Sequence, residues 1–311
     1  MAPEAIGSRV PNALSIDVED YFHVEAFADC VKPSAWQNYP SRVVQNTHRL
    51  LELFARNDVR GTFFVLGWVA ERHPALVREI VSSGHELACH SYAHRALWRI
   101  SPEEFHDDTA RAISTLEDAS GTRIFGYRAP TFSITSKTLW ALPILKQLGF
   151  EYDSSVYPIR HDYYGIPDAP RQLFQWQLED GQLLDELPGT TVRVRNRNLP
   201  VGGGGYLRIL PSWYTGWGLK RLDAEGLPAM LYLHPWEVDP EQPRIAGRIK
   251  SRIRHYTNLR STERKLEGLL RTRRWAPVRE VIQQIKKSGV KLPKLEVERG
   301  QAHNSRLAIR N

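Results

Sequence analysis

Cysteine is nearly absent from this sequence: 311 residues carry two, Cys30 and Cys89. Two isolated thiols make no disulfide framework, so the fold must be held by its core, and a reducing compartment suits it. Long apolar runs are missing as well. No stretch approaches the ~20 residues that cross a bilayer. Residues 1–17 lack a basic segment followed by an apolar core, so a secretory signal peptide is not expected. Residues 202–205 are a glycine run without a following lysine and threonine, which excludes a phosphate loop.

What is present is ordinary for a soluble enzyme, with 41% hydrophobic and 25% charged residues. The length can bury a large core and suits one barrel-sized α/β domain. Net charge is +7 but unevenly placed: residues 244–311 hold 19 Lys and Arg against 5 Asp and Glu. That basic quarter suits an anionic membrane surface or an acidic partner. Its plainer reading is a solvated helical face. No nucleic-acid-binding motif accompanies the charge, so nucleic acid is not an expected partner.

Leu14-Ser15-Ile16 reads as a strand that ends in Asp17-Val18-Glu19-Asp20. Apolar residues at helical spacing (Val43, Thr47, Leu50, Leu51, Phe54) predict a helix over 41–57. The aromatic and β-branched run 61–67 predicts a buried strand, followed by a helix over 69–82 and a strand over 85–89. Ser101, Pro102 and Glu104 form a helix-start signature, and that helix should end at Gly121. Strands are expected at 124–127, 150–153, 184–194 and 228–233, and helices at 136–148 and 212–225. The proline-, glycine- and tyrosine-rich stretch 157–176 reads as an irregular loop. This alternation predicts a parallel-stranded α/β barrel of about seven strands. Asp17, His90, Arg128, Asp153 and His234 all fall just after strands, on what would be the catalytic edge.

His90 and His94 belong to His90-Ser91-Tyr92-Ala93-His94. If the segment is helical, both imidazoles share a face and can reach one ion. Alone, such a pair would more simply be a cap and a satisfied core histidine. In company it gains meaning. Ser15-Ile16-Asp17-Val18-Glu19, Gly61-Thr62-Phe63-Phe64, the His90–His94 segment, Arg128-Ala129-Pro130, Asp153 and Leu231-Tyr232-Leu233-His234 resemble, in order, the motifs of the NodB-homology polysaccharide deacetylases, carbohydrate esterase family 4. The resemblance covers residues 13–236. Residues 202–217 and the segment from His234 to Pro240 resemble a bacterial subgroup that accompanies exosortase and exopolysaccharide loci.

The resemblance implies a distorted (β/α) barrel as a single domain over 1–285, with a subgroup extension from about 200 to 285 and a basic, flexible tail over 286–311. It implies hydrolysis of N-acetyl groups on a polysaccharide or its lipid-linked precursor, in exopolysaccharide biosynthesis. It also implies a divalent ion, zinc foremost, with cobalt or another divalent ion able to substitute. His90 and His94 would hold that ion with an acid. Val18 stands where the family has a second aspartate, so Glu19 is the expected third ligand, with Asp20 in reserve. Asp17 would be general base paired with Arg128, and His234 general acid with Asp153 on its other ring nitrogen. A backbone N–H near Pro130-Thr131 would face the oxyanion, although Thr131 stands where the family often has tyrosine. Trp236, Tyr163, Tyr164 and Trp213 would stack on sugar rings. The expected location is cytoplasmic, peripheral at the inner membrane face, where the enzyme meets an N-acetylated glycan. Two other readings compete: a metal-free allantoinase-like amidohydrolase, and a non-catalytic glycan-binding barrel.

Overall fold

A computed structural model describes residues 10–297 and the backbone of 309–310. The chain runs β1 (Asn12–Val18), α1 (Val43–Arg56), β2 (Thr62–Val65), α2 (Gly67–Arg72), α3 (Pro74–Ser82), β3 (Glu86–Cys89), α4 (Pro102–Ser120), β4 (Gly126–Tyr127), α5 (Ala141–Gln147) and β5 (Tyr152–Asp153). It continues through β6 (Phe174–Gln177), β7 (Leu183–Glu186), β8 (Thr191–Val194), β9 (Arg197–Pro200), α6 (Gly205–Ile209), α7 (Ser212–Glu225) and β10 (Met230–Leu233). Last come α8 (Ile249–Tyr256), α9 (Leu259–Thr272), β11 (Trp275–Ala276), α10 (Val278–Lys287), β12 (Lys294–Glu296) and β13 (Ile309–Arg310).

The main sheet has the order β10-β1-β2-β3-β4-β5-β7-β6-β12-β13, with β11 also paired to β1. From β10 to β7 every neighbour is parallel; β6 turns back antiparallel on β7. The described pairings form an open path, not a closed ring, and the fold is α/β with helices covering a mostly parallel sheet. Strands buried on both faces are mostly apolar, as in β2 (Thr-Phe-Phe-Val) and β10 (Met-Leu-Tyr-Leu). The apolar stripe of α1 buries Leu50 and Phe54 against this sheet, each contributing ~2 kcal/mol of transfer free energy.

Local signals explain most boundaries. Ser101 Oγ accepts from Glu104 N at 3.2 Å and Glu104 Oε2 accepts from Ser101 N at 2.9 Å, a reciprocal cap on α4. Gly121, at φ 67°, ends that helix. The helix expected over 69–82 is two, because Pro74 cannot donate a helical N–H and restarts the chain at α3. The strand expected over 184–194 is split likewise. Leu187-Pro188-Gly189 leaves the main sheet, and β8 pairs only with β9. The 157–176 loop ends in β6, and the helix expected from 136 begins at Ala141.

The flexible tail is also corrected in part. Lys294–Glu296 pairs in parallel with β6, and Leu295 is fully buried there. Residues 298–308 and 311 lie outside the described residues. Of the two cysteines, Cys89 is buried in β3, where burial pushes its thiol pKa up. Cys30 is exposed, with Sγ 3.2 Å from the Phe27 carbonyl.

The glycine run is backbone packed on backbone. Gly204 N donates to Tyr232 O at 2.7 Å and Tyr232 N to Gly202 O at 3.0 Å, beside the strand that delivers His234. Gly203 has φ +121°, and a Cβ there would lie 2.0 Å from Tyr232 O. Gly216, inside α7, has open space within 4 Å. Gly203→Ala is therefore expected to destabilise the protein by ~3 kcal/mol or more. Gly216→Ala should stabilise it by ~0.5–1 kcal/mol. Urea midpoints at unchanged slope measure both, and equal midpoints for the two variants would contradict this packing.

Candidate active site

Parallel strands carry their chain-forward ends to one edge, and the expected polar residues collect there. Arg128, just beyond β4, is fully buried. Its Nη1 donates to Asp17 Oδ1 at 2.6 Å and to Ser15 Oγ at 2.8 Å. Nε and Nη2 donate to Ser154 O and Oγ at 3.0 and 2.9 Å. The guanidinium lies 4.1 Å over the Phe64 ring. Removing either charge of such a buried pair strands the other, at a cost of ~3–5 kcal/mol.

The two histidines converge through a loop, not a helix. Ser91 and His94 have φ of 64° and 49°, and Ser91 Oγ accepts from His94 N at 3.1 Å. Asp108, on α4, accepts from Tyr92 N and Ala93 N at 2.7 and 3.2 Å and pins the turn. His94 Nε2 lies 2.8 Å from Glu19 Oε2, which has no other partner among the described residues. His90 Nδ1 sits 2.8 Å from the Arg128 carbonyl; donating to it leaves Nε2 a free lone pair. One ligand atom from each of Glu19, His90 and His94 falls within 4.8 Å of the others, all buried. Burial favours an uncharged Glu19, but His94, His234 and His90 outweigh it and hold the carboxyl well below its ordinary range. Burial lowers His90 to about 4. A carboxylate and two imidazoles, one with its tautomer fixed by a carbonyl, fit a divalent ion with open positions.

Asp20 is not part of this cluster, which corrects its place as reserve ligand. Its carboxylate accepts from Ser41 Oγ at 2.6 Å, Arg42 N at 3.0 Å and Val43 N at 3.3 Å, capping α1.

His234 follows β10, its side chain 19% exposed, more than Asp17 or Glu19 beside it. Nε2 faces Glu19 Oε1 at 3.6 Å and Asp17 Oδ2 at 3.9 Å. Nδ1 lies 2.8 Å from Glu237 Oε1. Burial disfavours the imidazolium, but the Glu237 hydrogen bond and the charges of Glu19, Glu237 and Asp17 raise its pKa to about 9.

Asp153 therefore does not serve as the partner of His234. It accepts from Ser155 Oγ, which in turn accepts from Ala129 N at 2.7 Å, so it braces the Arg128-Ala129-Pro130 turn. Beside it Glu186 accepts from Val156 N at 3.0 Å; burial pushes both carboxyls up, Asp153 to about 6. Trp236 is also corrected: it is 5% exposed, stacked against both His234 and His255, and its Nε1 donates to Glu19 Oε1 at 3.2 Å. It braces the site and offers no face to a sugar.

Pro130 is buried, and Thr131 and Phe132 both hold left-handed backbone, φ 59° and 52°. Tyr164 stacks on His161 at 4.0 Å, whereas Tyr163 and Trp213 are 59% and 70% exposed. Glu237, the partner of His234 Nδ1, was not assigned from the sequence. A glutamate three residues after His234-Pro235 is a capping-box spacing, and the turn does close that way, His234 N reaching Glu237 Oε1 at 3.2 Å.

Fold and site define a hydrolase-like α/β protein whose sheet edge gathers a His/His/Glu cluster between the Asp17–Arg128 and Glu237–His234 pairs. A polysaccharide deacetylase family model matches residues 32–152, and a domain of unknown function, DUF3473, matches 154–283. The chain is 33% identical over 240 residues to the peptidoglycan deacetylase-like protein FGM2 of Gibberella zeae, covering 66% of this chain and 68% of that protein. It is 36% identical over 73 residues to a chitooligosaccharide deacetylase of Bradyrhizobium, covering 24% of this chain and 33% of that protein. Among solved structures it resembles a candidate polysaccharide deacetylase from Mycobacterium smegmatis (TM-score 0.57, 19% identity, 91% of this chain and 94% of the other). It resembles Puue allantoinase as closely in fold (TM-score 0.57, 17% identity, 93% and 98%). The chain belongs to the polysaccharide deacetylase family.

The geometry separates neighbouring acids. Glu19→Gln and His94→Ala should each weaken binding of added zinc at least ~10-fold by isothermal titration. Asp20→Asn should keep zinc affinity while losing ~1 kcal/mol of stability. Zinc loss in Asp20→Asn alone would overturn the assignment.

Proposed function

We propose that this protein hydrolyses N-acetyl groups on sugar residues of a polysaccharide or its lipid-linked precursor, in the biosynthesis of an exopolysaccharide. Glu19, His90 and His94 would hold the divalent ion, zinc first, with cobalt or another divalent ion able to replace it. The observation that carries the reading is the pairing of that cluster with Asp17–Arg128 on one side and His234–Glu237 on the other. The peptidoglycan and chitooligosaccharide deacetylases among its relatives carry names of N-acetylated glycans.

When bound, the ion supplies Lewis-acid chemistry to a water and to the acetyl carbonyl. Asp17, oriented by Arg128, accepts the proton of the attacking water. The water oxygen adds to the acetyl carbon, and a backbone N–H in the Pro130-Thr131 turn faces the developing oxyanion. His234 enters as imidazolium, its Nδ1–H held by Glu237, and gives its Nε2 proton to the amine as the C–N bond breaks. Acetate and a free amino sugar leave. A glycan-binding module would need neither this base nor this acid, and a metal-free amidohydrolase would leave Glu19 and His94 without a role.

Acetate release from an N-acetylated chito-oligosaccharide tests the reading. Asp17→Asn should lose ~10²-fold or more in kcat with zinc retained. A chelator should abolish activity and zinc restore it; full activity after chelation would favour the allantoinase-like alternative.

We place the enzyme in the cytoplasm, peripheral to an anionic membrane. No helix of the described residues is long and apolar enough to cross one. Much of the basic quarter is engaged in the fold: Lys265 Nζ donates to the carbonyls of Leu207, Arg208 and Leu210, Arg271 pairs with Glu267 and Arg273 with Asp223. The surface left for a leaflet is α8. Ile249 and Ile253, one turn apart, are 74% and 62% exposed among exposed Lys250, Arg252 and Arg254. Lys250→Gln with Arg252→Gln should weaken binding to anionic vesicles by ~1 kcal/mol per charge, and Ile253→Glu should weaken it further. Turnover of a soluble substrate should stay within ~2-fold. Unchanged vesicle binding would reduce the charges to a solvated face.

A further inference from the structure

Arg208 lies in the segment matched by the domain of unknown function, yet it reaches the acid end of the site. It sits on α6, 2% exposed, and all three guanidinium nitrogens are engaged. Nε donates to Glu237 Oε2 at 3.0 Å. Nη1 donates to the Thr257 carbonyl at 2.6 Å and Nη2 to the Arg254 carbonyl at 2.7 Å, at the C-terminal end of α8. The other oxygen of Glu237 takes His234 Nδ1. The Arg208 carbonyl is itself held by Lys265 Nζ at 2.9 Å and Asn258 Nδ2 at 3.3 Å. A continuous line of directed bonds thus runs from the end of α8 through Arg208 and Glu237 to His234.

We propose that Arg208 is a positioning residue for the general acid, acting through Glu237. The inference rests on the reading of His234 as the acid. Glu237 is fully buried, and His234 engages only one of its oxygens. Without the planar guanidinium on the second oxygen, the carboxylate is held only at Oε1, by His234 N and Nδ1, and its plane can swing about that contact and carry the imidazole with it. Arg208 fixes that plane, because its fork is itself fixed by two helix-end carbonyls. Glu237 then holds the ring with Nε2 turned to the gap between Asp17 and Glu19. A lysine offers a point charge without the fork, so it cannot set the same plane.

The role is readable through the leaving group. Cleaving an amide C–N bond requires a proton on the departing nitrogen, whereas an aryl acetate expels a stable phenolate without one. Both reactions need the same base, ion and oxyanion site. Zinc-loaded wild type, His234→Ala, Glu237→Gln, Arg208→Met and Arg208→Lys would be compared on an N-acetylated chito-oligosaccharide and on 4-nitrophenyl acetate. Arg208→Met and Glu237→Gln should each lose ~10–100-fold in kcat on the amide, with KM within ~3-fold and aryl acetate turnover within ~3-fold. The Arg208→Met, Glu237→Gln double variant should lose no more than the worse single one, since both act along one line. Arg208→Lys should recover less than half of the lost amide activity. Equal loss on both substrates by Arg208→Met and Arg208→Lys, or no loss on either, would overturn the proposal. If His234→Ala itself fails to separate the two substrates, the acid assignment falls; if it separates them and Arg208→Met does not, only the role of Arg208 falls.

Discussion

The buried contact between Arg128 and Asp17 is the constraint on which the site depends. Its side chain joins β1 to the turn after β5 through Asp17, Ser15 and Ser154, and its carbonyl fixes the ring of His90. One residue therefore orients the proposed base with its guanidinium and a candidate ion ligand with its backbone. A buried arginine of this kind is tolerable only because its donors face a carboxylate, hydroxyls and a carbonyl. Asp153 belongs to the same construction, one step back, since Ser155 passes its hydrogen bond to the amide of Ala129.

Much of this is legible in the sequence. A parallel sheet sends the residue after each strand to one edge, so Asp17, His90, Arg128 and His234 could be grouped from alternation alone. The cap of α4 was legible because a capping box is local chemistry. What escaped was side-chain direction. Motif order points to Asp153 as the partner of His234, but a tight turn brings Glu237 to that nitrogen from three residues away. Trp236 looked like a sugar platform, yet it is buried, with His234 and His255 stacked against it. Arg208 could not be found, because its contact to Glu237 joins separate elements and no local pattern encodes it. The histidine pair succeeded by a different route from the one expected, since Asp108 shapes a loop where periodicity allows a helix.

The two matched segments share the candidate site with β1, since Asp17 and Glu19 lie ahead of both. Residues 32–152 contain the histidine pair and the arginine, and 154–283 contain His234, Glu237, Arg208 and α8. The second segment is thus integral to the site: its strand β10 pairs directly with β1, in register Ile16 with Leu233. Both segments and β1 contribute strands to one sheet, and the constellation needs all three.

The scarcity of thiols has a practical corollary. Cys89 is sealed in β3, and burial keeps it from ionising, whereas Cys30 is open to solvent. Cys30 lies three residues past Phe27, whose ring packs 5.0 Å from His255 on α8. The unaltered chain thus carries a natural attachment point for a maleimide dye, set beside the helix that backs Trp236. Fluorescence from that single reporter could follow the back wall of the catalytic edge without any engineered cysteine.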